Sequence, residues 1–211
     1  MRPTSARDRT MRLTPDCEPA LLERFLKAEA MALWAVRSAQ LQAVPANVQV
    51  FLRQHEEDER DHLRQFETLL GHRSHERERL PAVPRQWPAL AVQLYGYEAL
   101  GLEFAHLLAT VRPDLASILA DEETHVDFFE REVRKLLTGG GGPAEQARLS
   151  ARAWWRKLPG TVDRYLDGDS LRPFKDRLAA DMLAAIGRRF AGAGLLEADQ
   201  RRIAAGLSPP S

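Results

Sequence analysis

Two short motifs of the same residue types at the same spacing occur along the chain. In each, an Asp-Glu pair is followed by a His three residues after the Glu: Glu59 with His62, and Glu122 with His125. On a helix, residues three apart project from one face, so each pair can reach a single point. Carboxylate oxygen and imidazole nitrogen together suit divalent iron or manganese. Two such motifs, each preceded by a helix with a Glu, form the ligand set of a dinuclear carboxylate site in a four-helix bundle.

Both motifs lie on the apolar face of their predicted helices. The first apolar stripe alternates spacings of four and three through Val48, Leu52, His55, Glu59, His62, Phe66 and Leu69. The second contains Leu115, Ile118, Glu122, His125, Phe129 and Leu136. A solvated charge run is the alternative interpretation, but other charged residues already occupy the outward positions. Unpaired buried carboxylates are costly. With one further Glu from each of the other two helices, the site would hold four inward Glu residues, and we expect two divalent cations to balance their charge.

The other two helices of the bundle must supply one Glu each. Glu29 is the only acid on the inner stripe of the first helix. The third helix offers Glu98 and Glu103, which point in directions about 140° apart at about 100° per residue. Counting along the chain does not decide between them. We prefer Glu98 as the ligand and keep Glu103 as the alternative.

Two aspartates and one further histidine lie beside these residues. Asp58 and Asp121 directly precede the motif Glu residues. They suit a supporting role, in which a carboxylate accepts the outer N–H of a ligand histidine and fixes its tautomer; an ordinary exposed Asp is the alternative. His55 lies one turn before Glu59, and we interpret it as a core or rim histidine in preference to an added ligand.

The helical patterns predict an all-α protein in three parts. Residues 1–17 form a flexible lead-in, residues 18–138 a four-helix bundle, and residues 144–206 a C-terminal helical extension. The predicted bundle helices cover 18–43, 47–70, 89–111 and 115–138, with a crossover over 72–88. Asn47 is a plausible helix cap and Gly71 a helix stop. The glycine-rich stretch 139–143 is predicted to be a flexible linker, and Pro159-Gly160 to interrupt the extension.

The composition limits the classes of protein that the chain can belong to. Its 211 residues include 30 basic and 30 acidic ones, and this balance argues against a dedicated nucleic-acid binder. The one cysteine, Cys17, excludes a disulfide framework and a Cys-rich zinc site. We expect no membrane span, no secretory signal and a cytoplasmic location. The C-terminal extension is a candidate for a cover over the bundle, a guard at an entrance, or the contact of a homodimer.

With these residues in place, the chain resembles the ferritin-like di-iron carboxylate superfamily over roughly residues 18–137. The stretch 57–66 is similar to the second helix of the demethoxyubiquinone hydroxylases. The stretch 98–105, followed by a short turn and the second motif, is similar to the MiaE-type tRNA hydroxylases. The resemblance implies a ferritin-like bundle with two irons, with Mn or a mixed Fe/Mn pair as alternatives. It implies six ligands, Glu29, Glu59, His62, Glu98, Glu122 and His125. Glu59 and Glu122 would bridge the metals, and Asp121 would hold the histidine of the second helix.

The function that this resemblance implies is oxygen chemistry. We expect an O2-dependent di-iron oxidoreductase, a hydroxylase or monooxygenase, acting on an unidentified small-molecule or RNA-borne substrate. Since no flavin or nicotinamide motif occurs in the sequence, the enzyme would need an external electron donor. A ferroxidase or peroxide-scavenging iron protein is the first alternative. A non-enzymatic, metal-stabilised bundle is the second.

Overall fold

The computed structural model describes residues 13–73 and 82–196, and this part of the chain folds into six α-helices. Short 3-10 turns, Pro15–Cys17 and Pro113–Leu115, precede the first and fourth of them. Within the described ranges, no helix combines the length and the apolar composition that a membrane span requires. The helices are α1 (Glu18–Gln40), α2 (Ala46–Leu70), α3 (Trp87–Val111), α4 (Ala116–Gly139), α5 (Gly141–Tyr165) and α6 (Lys175–Gly192).

The first four helices pack as two antiparallel pairs, α1 with α2 and α3 with α4. The two pairs share one apolar core. Phe25 of α1 stacks on Phe66 of α2 with ring centroids 5.2 Å apart, and meets Phe104 of α3 edge-on at 6.2 Å. The all-α fold and the pairing of long helices agree with the sequence prediction.

The helix ends follow local rules, with one exception. Pro19 and Pro88 lie in the first turns of α1 and α3, where proline loses no helical hydrogen bond. Gly71 ends α2 in the left-handed conformation, with φ of 72°, as predicted. The prediction that Asn47 caps α2 is wrong. The helix begins at Ala46, and the Asn47 side chain instead donates a 2.9 Å hydrogen bond to the buried Glu132 of α4.

The apolar stripes of α2 and α4 face the core along most of their length but not at their ends. Leu69 is 40% exposed and Leu136 is only partly buried, whereas the earlier stripe residues of both helices are buried. Each of these two leucines lies 21 residues after the start of its stripe. A strict seven-residue repeat drifts by about 20° per heptad on a straight helix. Three heptads therefore turn the last stripe residue away from the core.

The predicted glycine linker and the predicted break in the C-terminal extension are both wrong. α4 continues to Gly139 and α5 starts at Gly141, so a single residue separates the two helices. Gly140 and Gly141 have φ of 68° and 63°, and this left-handed backbone, which glycine adopts without strain, lets the chain reverse direction. α5 also continues past Pro159 to Tyr165, because buried residues on both sides of the proline hold the helix against its neighbours.

The C-terminal helices cover the bundle. α5 packs against α3 and α4, and α6 packs against α5 and α3. The ring of Phe190 in α6 stacks between Tyr95 of α3 and Trp154 of α5, at 5.1 and 5.0 Å. At the other end of the chain, Leu13 and Cys17 are buried in the core. The end of the predicted flexible lead-in is therefore packed on the bundle, and residues 1–12, 74–81 and 197–211 lie outside the described part.

Candidate metal centre

The four bundle helices bring all six sequence-predicted ligands to one place in the core. α1 contributes Glu29, α3 contributes Glu98, and the two motif helices each contribute a Glu and a His. Every one of these side chains is buried. Charged and polar side chains are rarely buried unless they have a partner. Their exposed fractions are between 0% and 4%, for Glu29, Glu59, His62, Glu98, Glu122 and His125.

The ligand atoms form two adjacent groups that share one carboxylate. In each group, the four atoms lie within 4.8 Å of one another. Group one contains Glu29, Glu59, His62 and Glu122, and group two contains His55, Glu59, Glu98 and His125. Glu59 belongs to both, which is the arrangement that a bridging carboxylate needs. Glu122 belongs to the first group alone, so its bridging role stays a prediction.

Two aspartates hold the motif histidines in a crossed arrangement. Nε2 of His62 on α2 lies 3.1 Å from Oδ2 of Asp121 on α4. Nε2 of His125 on α4 lies 3.2 Å from Oδ2 of Asp58 on α2. If each Nε2 carries the proton, the Nδ1 atoms are left with a free lone pair on the side of the carboxylates.

Several buried polar atoms at the centre have no hydrogen-bond partner among the described residues. They include Nδ1 of His62 and His125 and one carboxylate oxygen each of Glu29 and Glu59. Nδ1 of His62 lies 3.4 Å from Oε2 of Glu29, and Nδ1 of His125 lies 3.7 Å from Oε1 of Glu59. Unpaired lone pairs that converge in a buried site are what a metal cation would satisfy. The residues present therefore fit a pair of divalent ions.

His55 belongs to the second group, although the sequence interpretation preferred a core histidine. It is fully buried, and its Nε2 lies 2.8 Å from Oε1 of Glu59 and 3.5 Å from Oε2 of Glu98. The sequence did contain the signal, because His55 precedes Glu59 by one helical turn on the same stripe. With it, the centre offers four carboxylates and three imidazoles.

The two candidates on α3 are separated by the fold. Glu98 lies in the second group, whereas Glu103 lies outside both groups and is only partly buried. Burial raises the pKa of Glu103 to about 7, and the positive charges of Arg189 and Arg188 on α6 oppose this rise. Glu103 therefore faces the α6 side of α3, and the five-residue separation turns it away from the centre.

In the metal-free centre, burial and the neighbouring charges shift the pKa values of several residues. Burial and then the charges of neighbouring carboxylates raise the pKa of Glu59 and of Glu122 well above the usual value. Burial disfavours the imidazolium of His62, but Glu29 and Asp121 outweigh it and raise its pKa to about 9. Burial lowers the pKa of His55. Without metal, the centre thus compensates its acids by taking up protons.

A cavity of about 290 Å³ leads from the surface to this centre, between α1, α3 and α5. Four of the carboxylates line it, Glu29, Glu59, Glu98 and Glu122. The rest of the lining is largely apolar. Gly101 of α3 also lines the cavity, and a Cβ there would lie 2.8 Å from Oε2 of Glu122. The missing side chain therefore gives the Glu122 carboxylate room beside the helix.

Comparisons of the chain with protein-family models, curated proteins and solved structures returned no match. The class of protein is therefore defined by the fold and the site: an all-helical bundle with buried His/Glu clusters that resemble a carboxylate metal site.

Proposed function

We propose that the protein is a di-iron carboxylate oxidoreductase that activates O2 and acts as a hydroxylase or monooxygenase. One observation supports this proposal above the others: two adjacent ligand groups share Glu59 at the inner end of a cavity that is open to solvent. A metal pair that served only to hold the helices together would not need such access.

The donor set favours iron or manganese. Four carboxylates carry about four negative charges, which two divalent cations cancel, and the three histidines bind as neutral imidazoles. Oxygen and nitrogen donors without thiolate suit Fe and Mn, although zinc also accepts this set. A bound pair of ferrous ions supplies two electrons for the reduction of O2.

The protein's own residues prepare this chemistry. Glu59 holds the two positions next to each other, and Asp58 and Asp121 fix the orientation and tautomer of the two motif histidines. The largely apolar cavity wall suits an organic substrate, and the opening leaves a path for O2 to the centre. Since the sequence has no flavin or nicotinamide motif, the electrons would come from an external donor.

The cavity also distinguishes this proposal from the alternatives. A ferroxidase or a peroxide-scavenging iron protein needs a route for ions and peroxide but no apolar chamber for an organic molecule. A metal-stabilised structural bundle needs neither. The cavity walls include Phe25, Met31, Leu100 and Phe104, which would bind an organic substrate and not an ion.

The proposal is tested by metal analysis of protein expressed with iron, together with optical spectra before and after anaerobic reduction and exposure to O2. We expect about two irons per chain and a near-ultraviolet band of the oxidised centre that disappears on reduction and returns with O2. One inert zinc, or no metal, would overturn the proposal. Oxidation of excess Fe(II) without any organic product would favour the ferroxidase alternative.

Substitution of the two acids of α3 provides a matched control within the same experiment. Glu98→Ala removes a carboxylate of the second group, so we expect loss of at least one iron per chain with the helical content retained. Glu103→Ala removes an acid outside both groups and should keep the wild-type iron content. Equal iron content in the two variants would mean that α3 supplies no ligand.

A further inference from the structure

Arg164 is the one positively charged residue among those described that line the cavity. It comes from α5, one residue before that helix ends, and its side chain is exposed at the mouth of the cavity. The charged residues on the inner side are the four Glu of the centre. The cavity therefore has carboxylates at its inner end and a guanidinium at its outer end.

No acidic side chain in the described part of the chain pairs with the charge of Arg164. Within residues 13–73 and 82–196, its side chain forms no ion pair, and its Nη2 donates a 3.1 Å hydrogen bond to the hydroxyl of Thr161 one turn earlier. Thr161 also lines the cavity, so this bond holds the guanidinium at the rim. Once two divalent cations balance the four Glu, the lining retains one positive charge.

The wall between the two ends suits a flat apolar body. It includes Phe25, Leu100 and Phe104, and Tyr165 packs on Phe104 with ring centroids 5.1 Å apart. A volume of about 290 Å³ lies just below the range of small-molecule sites, which begins at roughly 300 Å³. That space accommodates one aromatic ring with small substituents.

A nucleic-acid chain fits the same features poorly. Proteins that bind RNA or DNA neutralise several phosphates with a set of basic side chains. The described lining of this cavity supplies a single cation, and an acidic floor lies beneath it. One guanidinium instead matches one carboxylate, which it can bind with two parallel hydrogen bonds.

We propose that the cavity binds a small monoanionic aromatic molecule, a single ring with a carboxylate. Arg164 binds the carboxylate at the mouth, and the opposite edge of the ring points toward the metal centre. This inference rests on the proposed function, because it names the substrate class of that same site. Arg164 acts here as a binding residue that sets specificity.

The test uses zinc-loaded protein, which is redox-inert, so that binding is measured separately from oxygen chemistry. Metal content is determined first, and then the dissociation constants of benzoate, benzamide and acetate by ligand-observed NMR. We expect benzoate to bind better than its neutral analogue benzamide, and acetate, which lacks the ring, to bind weakest. Arg164→Gln should weaken benzoate about tenfold or more and leave benzamide unchanged.

Arg156→Gln is the matched control, because Arg156 is exposed on the same helix and is not part of the cavity lining. It should bind benzoate like the wild type. Ala28→Leu, which fills the cavity wall, should weaken benzoate and benzamide alike. This second variant tests the location of the site even if Arg164→Gln is poorly folded.

The outcomes separate this inference from the proposed function. Charge-selective benzoate binding in a protein whose iron form is inert to O2 would support the binding site and overturn the oxygenase. Equal benzoate affinity in Arg164→Gln, or acetate binding as tight as benzoate, would overturn the inference and leave the metal centre standing. Tighter binding of a short RNA strand than of benzoate would also overturn it, and a protein that takes up no metal would overturn both.

Discussion

His55 makes the two halves of the centre chemically different. The first group has one imidazole, from His62, whereas the second has two, from His55 and His125. The rings of His55 and His125 lie with centroids 3.9 Å apart, and one ligand atom of each lies within 4.8 Å of those of Glu59 and Glu98. A neutral nitrogen donor adds affinity without adding negative charge, and the second position should therefore carry fewer anionic ligands than the first.

This asymmetry predicts the effect of His55→Gln. Glutamine keeps a hydrogen-bond donor for Glu59 and Glu98 but removes the imidazole nitrogen, so we expect one metal ion to bind as before and the other at least about tenfold more weakly. Stepwise metal titration against a chelator measures the two affinities. His72→Gln is the control, since His72 is an exposed histidine paired with Glu23. Two wild-type affinities in His55→Gln would show that His55 is only a hydrogen-bond partner.

At the level of the helices, the crossed pairs of Asp58 with His125 and Asp121 with His62 join α2 and α4. The Cα atoms of these two helices make few close approaches, so the pairs connect elements that otherwise meet through the centre. The hydrogen bond from His125 is the largest factor acting on Asp58, and it holds the pKa of that carboxyl below its usual value. Asp58 thus acts as a charged acceptor for the Nε2 proton of His125, and Asp121 lies in the same geometric relation to His62.

We predict that Asp58→Asn and Asp121→Asn each lower metal affinity by about tenfold to a hundredfold, the range typical of carboxylates that support a metal-bound histidine. Asparagine keeps the shape but removes the charge that stabilises the histidine N–H. Asp61→Asn is the control, because Asp61 lies on the same stretch of α2 but is exposed and pairs with Arg64. Chelator competition measures the affinities, and indistinguishable values for all three variants would contradict the supporting role.

Sequence periodicity was sufficient to predict the helices and the inward direction of the motifs, because both depend on local geometry. The alternation of spacings along α2 correctly predicted that Glu59 and His62 face the core. It could not choose between Glu98 and Glu103, since that choice depends on the level at which α3 meets α4. The glycine-rich stretch 139–143 and Pro159-Gly160 indicated a linker and a break in the extension. Both predictions were wrong, because packing of α5 against α3 and α4 outweighs the preferences of glycine and proline.

At the scale of the whole molecule, the sequence could not predict the cavity, because its walls come from distant parts of the chain. Phe25, Leu100 and Tyr165 lie on three different helices and share no motif. The role of the C-terminal extension emerges at this scale. α5 completes the chamber whose other walls are α1 and α3, so the extension provides part of the proposed substrate site as well as a cover.

The bundle as a whole should respond to pH in opposite ways with and without metal. In the metal-free protein, the pKa of His62 is raised from 6.5 to about 9. Its stabilising contribution is fully present below pH 6.5 and is lost as the pH rises through about 9. The raised pKa values of Glu59 and Glu122 act in the same direction. The lowered pKa values of His55 and Glu98 stabilise the fold above their unfolded values, and so change little in this range.

Between about pH 7 and pH 9, we therefore expect the metal-free protein to lose about 2 kcal/mol of unfolding free energy from His62 alone, which is roughly 4–8 °C in Tm. Metal binding should show the reverse trend, because the ions displace these protons and bind more tightly as the pH rises. Calorimetric melting of metal-free and metal-loaded protein at both pH values measures the two effects. The metal-free slope should be smaller in His62→Gln, and a metal-free Tm that is equal at both pH values would show that His62 does not hold a proton in the empty centre.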